Sequence, residues 1–313
     1  MCLFLTINLE NVRYLLTALD TGSFSAAAAH FNLTPSGLNR QISALERELG
    51  TVLLLRSRRG VLPAQGAEPI ITRLRDVVAA EERVQEEITA AKGLITGHLS
   101  IGSYYSIAAN FLPPLLKTFS GTYPAIRLSV TEGADSELIE ALQAGKLDCA
   151  FLSQHSYDGD FFPLFDTEFV VWLPTDHPLT ARSSIRAEDL ADQPFVYPRA
   201  HHRSDIDDFL ARHKITPAVR IDTNDPYSAY AMVAAGLGVS VNNRLQTAGL
   251  KERLVLKPLD PPESVTLGIA VPSIAAASPA LIRLLSLAQQ IARQNDESSC
   301  TASSARTCSK AGT

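Results

Sequence analysis

No uncharged apolar run in the 313 residues approaches the roughly 18 needed to cross a bilayer. The nearest candidate, 268–282, is interrupted by Pro272 and Pro279, so a soluble chain is expected. An export signal is missing as well: the apolar opening Met1 to Ile7 is short, has no Lys or Arg before it, lacks a small-residue cleavage site and runs into Glu10. Cytoplasmic localisation and no membrane partner are the expectation. Cysteine is scarce, and Cys2, Cys149, Cys300 and Cys308 form neither a C-x-x-C pair nor a disulfide framework, which suits reduced thiols. Catalytic signatures are also lacking. There is no G-x-S-x-G elbow and no H-E-x-x-H helix, and Gly236-Leu237-Gly238 follows a helix and precedes a strand, the reverse of a dinucleotide fingerprint. His201 and His202 are adjacent, which on a strand sends them to opposite faces and makes shared metal ligation awkward. No enzyme, metal or cofactor is expected. With 46% hydrophobic, 19% charged and 7% aromatic residues, the chain has core enough for two or three domains.

What is present begins with an uneven charge. Residues 1–66 hold Arg13, Arg40, Arg47, Arg56, Arg58 and Arg59 against Glu10, Asp20, Glu46 and Glu48, a balance of +2 within a total of −5. Only this segment is fit to approach a polyanion. Val12, Leu15, Leu16 and Leu19 fall at helical spacing before Gly22, and Ser23 or Ser25 can cap a second helix, Ala26 to Phe31. Thr34 is a good cap for a third, with Pro35 at its first position. There Leu38, Ile42, Leu45 and Leu49 form one buried stripe, leaving Ser36, Gly37, Asn39, Arg40 and Ser43 opposite. Small, hydrogen-bonding residues with one arginine suit a helix that enters a major groove and reaches base edges. Beyond Gly50, the apolar run Val52 to Leu55 leads into Arg56-Ser57-Arg58-Arg59-Gly60, a strand and basic turn able to meet phosphates.

The stretch Asn8 to Gly66 resembles the winged helix-turn-helix domain of LysR-type transcriptional regulators nearly end to end. The resemblance rests on Gly22-Ser23-Phe24-Ser25, the alanines before Phe31, Leu33-Thr34-Pro35-Ser36-Gly37-Leu38-Asn39-Arg40-Gln41-Ile42, Leu45-Glu46, Glu48-Leu49-Gly50, Leu53, Arg56-Ser57 and Gly66. Asn39 stands where the family usually has Ser, Leu54 where it has Phe, and Pro63 where it has Thr. The first of these bears on the operator sequence, the wing changes not on the binding mode.

Between Pro69 and Gly93, Ile70, Leu74, Val77, Glu81, Val84, Ile88 and Ala91 keep alternating steps of four and three, a coiled-coil seam with one polar position, the alternative being a helix packed on its own domain. Glu81-Glu82 and Glu86-Glu87 are most simply solvated helix positions near Arg83. The resemblance implies a dimerising linker helix here, and a two-fold pair reads a dyad where one recognition helix reads few base pairs.

From Gly97 strands alternate with helices. Strands at Leu99 to Gly102, Ile126 to Thr131 and Asp148 to Leu152, with helices at Ala108 to Phe119 and Ser136 to Ala144, make one β-α-β-α-β unit. Strands at Phe195 to Tyr197, Val219 to Asp222 and Val239 to Asn242, with helices at Ser204 to His213 and Tyr227 to Ala235, make a second. Phe169 to Leu173 and Val265 to Val271 lie where the chain would cross between them, giving two lobes, a hinge and a cleft. Ligands of open α/β sheets sit at strand carboxyl ends, which collects Ser103, Tyr105, Ser106, Thr131, Glu132 and Ser153 from one lobe and Arg199, His201, Thr223 and Asn224 from the other. Hydroxyls with a basic edge favour a small carboxylate. Phe111-Leu112-Pro113, Tyr123-Pro124, Gly145-Lys146-Leu147-Asp148 and 233–239 resemble the family's effector domain, which implies a two-lobed, periplasmic-binding-protein-like α/β fold. The expected organisation is a winged helix-turn-helix over 1–66, a linker helix over 67–95, an effector domain over 96–294 and a Ser/Ala/Thr-rich disordered tail over 295–313.

The reading is a sequence-specific regulator that binds double-stranded DNA as a homodimer or homotetramer and answers to a small-molecule, anionic effector, with RNA polymerase a further candidate partner. The rival, a two-lobed solute-binding receptor, requires an export signal and no basic recognition helix.

Overall fold

The structure is a computed structural model. It describes residues 7–57, 60–91, 96–154, 157, 159–198, 204–247 and 253–308, with backbone alone at 56–57, 86–87, 90–91 and 296–308. The chain divides into two compact units, one ending at Ala91 and the other beginning at Lys92.

In the first unit, α1 (Leu9–Thr21), α2 (Phe24–His30) and α3 (Pro35–Leu49) each start at a residue whose side chain accepts a backbone N–H. These caps are Asn8 to Glu10 N at 2.9 Å, Ser23 to Ala26 N at 3.3 Å and Thr34 to Gly37 N at 3.1 Å, each worth about 1 kcal/mol. Of the two serines considered for α2, Ser23 is the cap. Val12, Leu15, Leu38, Ile42 and Leu45 are buried together. Strands β1 (Leu54–Ser57) and β2 (Gly60–Pro63) pair antiparallel with Ser57 opposite Gly60, so the sequence-expected single strand is half of a hairpin.

Gly60 has φ +113, and a Cβ there would lie 2.5 Å from the Gly22 carbonyl oxygen. The Val61 N–H donates to that same oxygen at 3.0 Å. Only glycine lets the second strand press this closely onto the end of α1.

Helix α4 (Glu68–Ala91) has two apolar stripes. Ile71, Leu74 and Val78 are buried in the core of this unit, whereas Ile70, Val77, Val84 and Ile88 are 38%, 41%, 57% and 48% exposed. Leu74 therefore departs from the expected seam: with Ile71 and Val78 it follows the i, i+3, i+7 pattern that faces the helix's own domain.

In the second unit β3 (Gly97–Ser103), β4 (Ile126–Glu132) and β5 (Cys149–Ser153) form a parallel sheet in the order β5-β3-β4. Helices α5 (Tyr105–Asn110), α6 (Leu112–Thr122) and α7 (Asp135–Gln143) connect them. The helix expected over 108–119 is thus two helices meeting at Phe111, because Pro113 and Pro114 bring no N–H to continue the bonding of α5.

Strand β6 (Asp160–Leu173) then runs through both lobes. Only its end, 169–173, was legible, since Pro163, Asp166 and Glu168 interrupt the apolar pattern earlier. Beyond it come β7 (Pro194–Pro198), α8 (Asp205–Arg212), β8 (Ala218–Thr223), α9 (Pro226–Ala234), β9 (Ser240–Asn243) and β10 (Val255–Pro258). β7 and β8 pair parallel, while β9 and β10 flank the end of β6. Strand β11 (Ser264–Val271) returns antiparallel to both β6 and β5, and α10 (Pro279–Cys308) packs Leu281, Leu284, Leu285 and Ala288 into the main core. The stretch expected as a disordered tail from 295 continues α10 as helix to Cys308, with no Gly or Pro between Pro279 and Cys308 to interrupt it. No helix among the described residues is long and apolar enough to cross a membrane.

Candidate functional site

Three surfaces carry the chemistry that the sequence singled out. On α3, Ser36 and Arg40 are exposed and Gly37, Asn39 and Ser43 are partly so, all opposite the buried Leu38, Ile42 and Leu45. Thr34 Oγ1 lies 3.2 Å from Ser36 Oγ and accepts the Gly37 N–H, holding the first turn of the helix with its polar atoms outward. Glu46 was not singled out, yet it ties α3 to the hairpin: its Oε1 accepts the N–H of Leu53 at 2.7 Å and of Leu54 at 3.1 Å. Its spacing from Leu53 was the available signal, but nothing local marks a carboxylate as a strand cap. Arg56 lies on β1 with backbone alone described, and Arg58 and Arg59 lie outside the described residues.

The second surface is the exposed stripe of α4. Glu81, the polar member of the expected seam, is turned to α1 instead, where Arg13 Nη2 donates to its Oε2 at 2.6 Å and to Glu82 Oε1 at 3.2 Å. Glu82, read as solvated, belongs to the same contact. Arg75 likewise engages Asp20 through its two terminal guanidinium nitrogens, Nη1 and Nη2.

The third is a cavity of about 60 Å³ between the lobes of the second unit. Tyr104, Tyr105 and Ser106 at the start of α5 line it, with Ala134 and Asp135 at α7, Pro198 at the end of β7, Ser204, Asp205 and Ile206 at α8, Pro226 at α9, Phe169 of β6, and Asn242, Asn243 and Gln246. Of the expected set, Tyr105 and Ser106 meet here. Ser103 lies fully buried beneath, donating to the Tyr104 carbonyl at 3.0 Å. Ser153 is also buried and donates to Asp135 Oδ2 at 3.4 Å, with Tyr104 Oη 3.4 Å away. Thr131, Thr223 and Asn224 are not among the lining residues; Thr223 Oγ1 instead accepts the Asp225 N–H in the turn before α9. Arg199 and His201 lie outside the described residues.

Sequence reasoning stopped one step short of this lining. In the first lobe it chose the strand end at Thr131, but the chain passes Gly133 and presents Asp135, 4% exposed, from the first turn of the next helix. In the second lobe the strand expected over 239–242 carries Asn242 and Asn243 at its end, and both line the cavity. Beside the cavity, burial, followed by a hydrogen bond to Asp207, pushes the Tyr197 hydroxyl well above its ordinary range. It stays neutral as a donor. Among the described residues no cluster of His, Cys, Asp and Glu is arranged to hold a metal.

Residues 9–68 match the family model for the bacterial regulatory helix-turn-helix protein, lysR family, and residues 92–293 match the LysR substrate binding domain. The probable HTH-type transcriptional regulator LrrA of Synechococcus elongatus is 30% identical over 289 residues, 91% of this chain and 98% of the relative. The transcriptional dual regulator OxyR of Escherichia coli is 27% identical over 240 residues, 75% of this chain and 78% of its own. A single-residue variant of full-length OxyR from Pseudomonas aeruginosa superposes with a TM-score of 0.72 at 25% identity, covering 91% of this chain and 98% of that one. Full-length CbnR complexed with its target DNA shares the fold at a TM-score of 0.62 and 20% identity, covering 91% and 99%. The two units, a helix-turn-helix domain and a two-lobed substrate-binding domain, thus match in order and extent, and the chain belongs to the LysR family of DNA-binding transcriptional regulators, which are not enzymes.

Proposed function

We propose that the protein is a homo-oligomeric cytoplasmic regulator that reads a promoter dyad through α3 and is switched by a small polar metabolite held between its lobes. The outward row Ser36, Gly37, Asn39, Arg40 and Ser43 on a capped helix whose other face is buried carries the DNA reading. Arg56, Arg58 and Arg59 supply phosphate contacts. The exposed stripe Ile70, Val77, Val84 and Ile88 supports pairing of two copies, because such a row is covered in a stable protein. RNA polymerase would be met at the promoter.

Tyr105 and Ser106 support a carboxylate-bearing effector, as the strand-end hydroxyls suggest. Asp135 and Asp205 in the same lining require that it also bring hydrogen-bond donors, so a hydroxy acid or amino acid fits better than a simple dicarboxylate.

Footprinting of the purified protein on the DNA flanking its own gene tests the first half. Arg58→Ala with Arg59→Ala should then weaken all duplexes alike and lower the salt slope by about one unit per lost phosphate contact. A slope that does not change would remove the hairpin from the interface.

A further inference from the structure

The two apolar stripes of α4 point in different directions. At about 100° per residue, the buried row Ile71, Leu74 and Val78 and the exposed row Ile70, Val77, Val84 and Ile88 stand about a quarter turn apart. The roll of α4 on its own unit therefore sets where the exposed row faces. Apolar burial is non-directional and resists roll weakly, whereas an ion pair with defined donor and acceptor atoms resists it at its own edge.

Both edges of the buried row have such a brace. On one flank Arg75, with its side chain 12% exposed, engages Asp20 near the end of α1 in a two-pronged contact, Nη1 to Oδ2 at 3.2 Å. Farther along, Arg13 from the middle of α1 holds Glu82 on that flank at 3.2 Å and Glu81 on the other at 2.6 Å. This last contact lies beyond Val78, where apolar contact with the unit's core ends.

Resting on the reading that α3 enters DNA and a second copy covers the exposed row, we infer that Arg13 and Arg75 are positioning residues that fix the spacing of half-sites the dimer accepts. Neither needs to touch DNA. For any lever of about 20 Å, a roll of about 10° would displace a recognition helix by about 3.5 Å, close to the rise of one base pair. A braced α4 selects one spacing. A loosened one accepts neighbours.

The test uses the full chain and duplexes that the wild type selects from a randomised pool, resynthesised with half-sites one base pair closer and one farther apart, beside a single half-site duplex. Wild type should prefer the selected spacing. Arg13→Ala with Arg75→Ala should lose about threefold to tenfold of that preference, in keeping with three partly exposed pairs, while single half-site affinity and the mass by light scattering stay unchanged. Reversing one pair, Asp20→Arg with Arg75→Asp, should regain most of what Arg75→Ala alone loses. Should the double variant melt below the assay temperature, Arg75→Lys, which keeps the charge but not the two-pronged contact, faces the same comparison. Unaltered spacing preference in an intact dimer, or equal loss on single half-sites and dyads, overturns the inference. A wild type that selects single half-sites overturns the dimeric reading and the inference with it.

Discussion

Arg40 and Glu46 sit on one helix and do opposite work: the first is free to meet a ligand, the second is spent on the fold. If Arg40 reads guanine, Arg40→Ala should cost about 1 to 3 kcal/mol at particular base pairs, and if it meets phosphate the loss should be uniform; selection across randomised half-sites separates the two. Glu46→Gln keeps the shape but weakens two hydrogen bonds to Leu53 and Leu54, so the melting temperature should fall by an amount equivalent to about 1 kcal/mol. In the second unit, burial first and the charge of Asp148 second push the Cys149 thiol far above its ordinary range. The reactive thiolate is therefore absent at neutral pH. Mass spectrometry after brief exposure of the folded protein to an alkylating agent should find Cys149 unmodified, and modification there would contradict its burial.

Glu263 offers a pH test. Burial alone would raise its carboxyl, but hydrogen bonds from His213 and Arg212 outweigh this and hold it below the ordinary 4.5. A carboxyl depressed in the folded state gives stability that is complete above its unfolded value and is lost as the pH falls through the folded one. Glu263→Gln should thus melt below wild type at neutral pH, with the gap closing in acid; a gap that persists there would assign the loss to packing.

At the scale of elements, α4 is the sharpest case. Val84→Asp places a charge in the exposed row, which costs nothing in an isolated chain but is uncompensated in a dry seam. Light scattering should show smaller species and footprinting a weaker dyad. If mass and DNA affinity both hold, this row is not the pairing surface. The same helix shows what periodicity conveys and what it hides. Steps of four and three announce a helix with an apolar side, and α4 is one. They do not say which of two neighbouring rows meets its own domain, so Leu74 was assigned to the wrong one and Glu81 passed as a polar interruption rather than a partner of Arg13. Caps at Thr34 and Pro35 and the stops at Gly22 and Gly50 were legible because they act within a few residues. Pairing was not: β2 and the first half of β6 take their identity from the strands beside them, and their own residues alternate poorly. For the cavity, the strand-end rule found the right end of each sheet and the start of α5, but not the starts of α7 and α8, where Asp135 and Asp205 lie, because a loop's path between strand and helix leaves no periodic trace.

At the scale of the second unit, a cavity of about 60 Å³ holds a few waters, against roughly 300 to 1,000 Å³ for small-molecule pockets. An effector held between the lobes would therefore need them to part. An effector can bias the regulator only through its difference in affinity for the two arrangements, so contacts to both lobes matter more than tight binding to one. Ser106→Ala at the start of α5 and Gln246→Ala after β9 should each reduce the melting shift produced by a stabilising acid or amino acid while DNA affinity without effector holds. A stabilising compound whose shift survives both substitutions would bind elsewhere. The parting itself is constrained by β6, which belongs to both lobes, and by its ladder with β11, whose register slips only between Leu267 and Gly268, leaving Leu164 as the extra residue. A Cβ on Gly268 would sit 2.4 Å from the Phe162 carbonyl oxygen. Such a connection is a torsion bar rather than a door hinge. A turn of one lobe on the other would load this ribbon at the bulge, where strands bend most readily, with the ladder of β6 and β11 holding on either side of it.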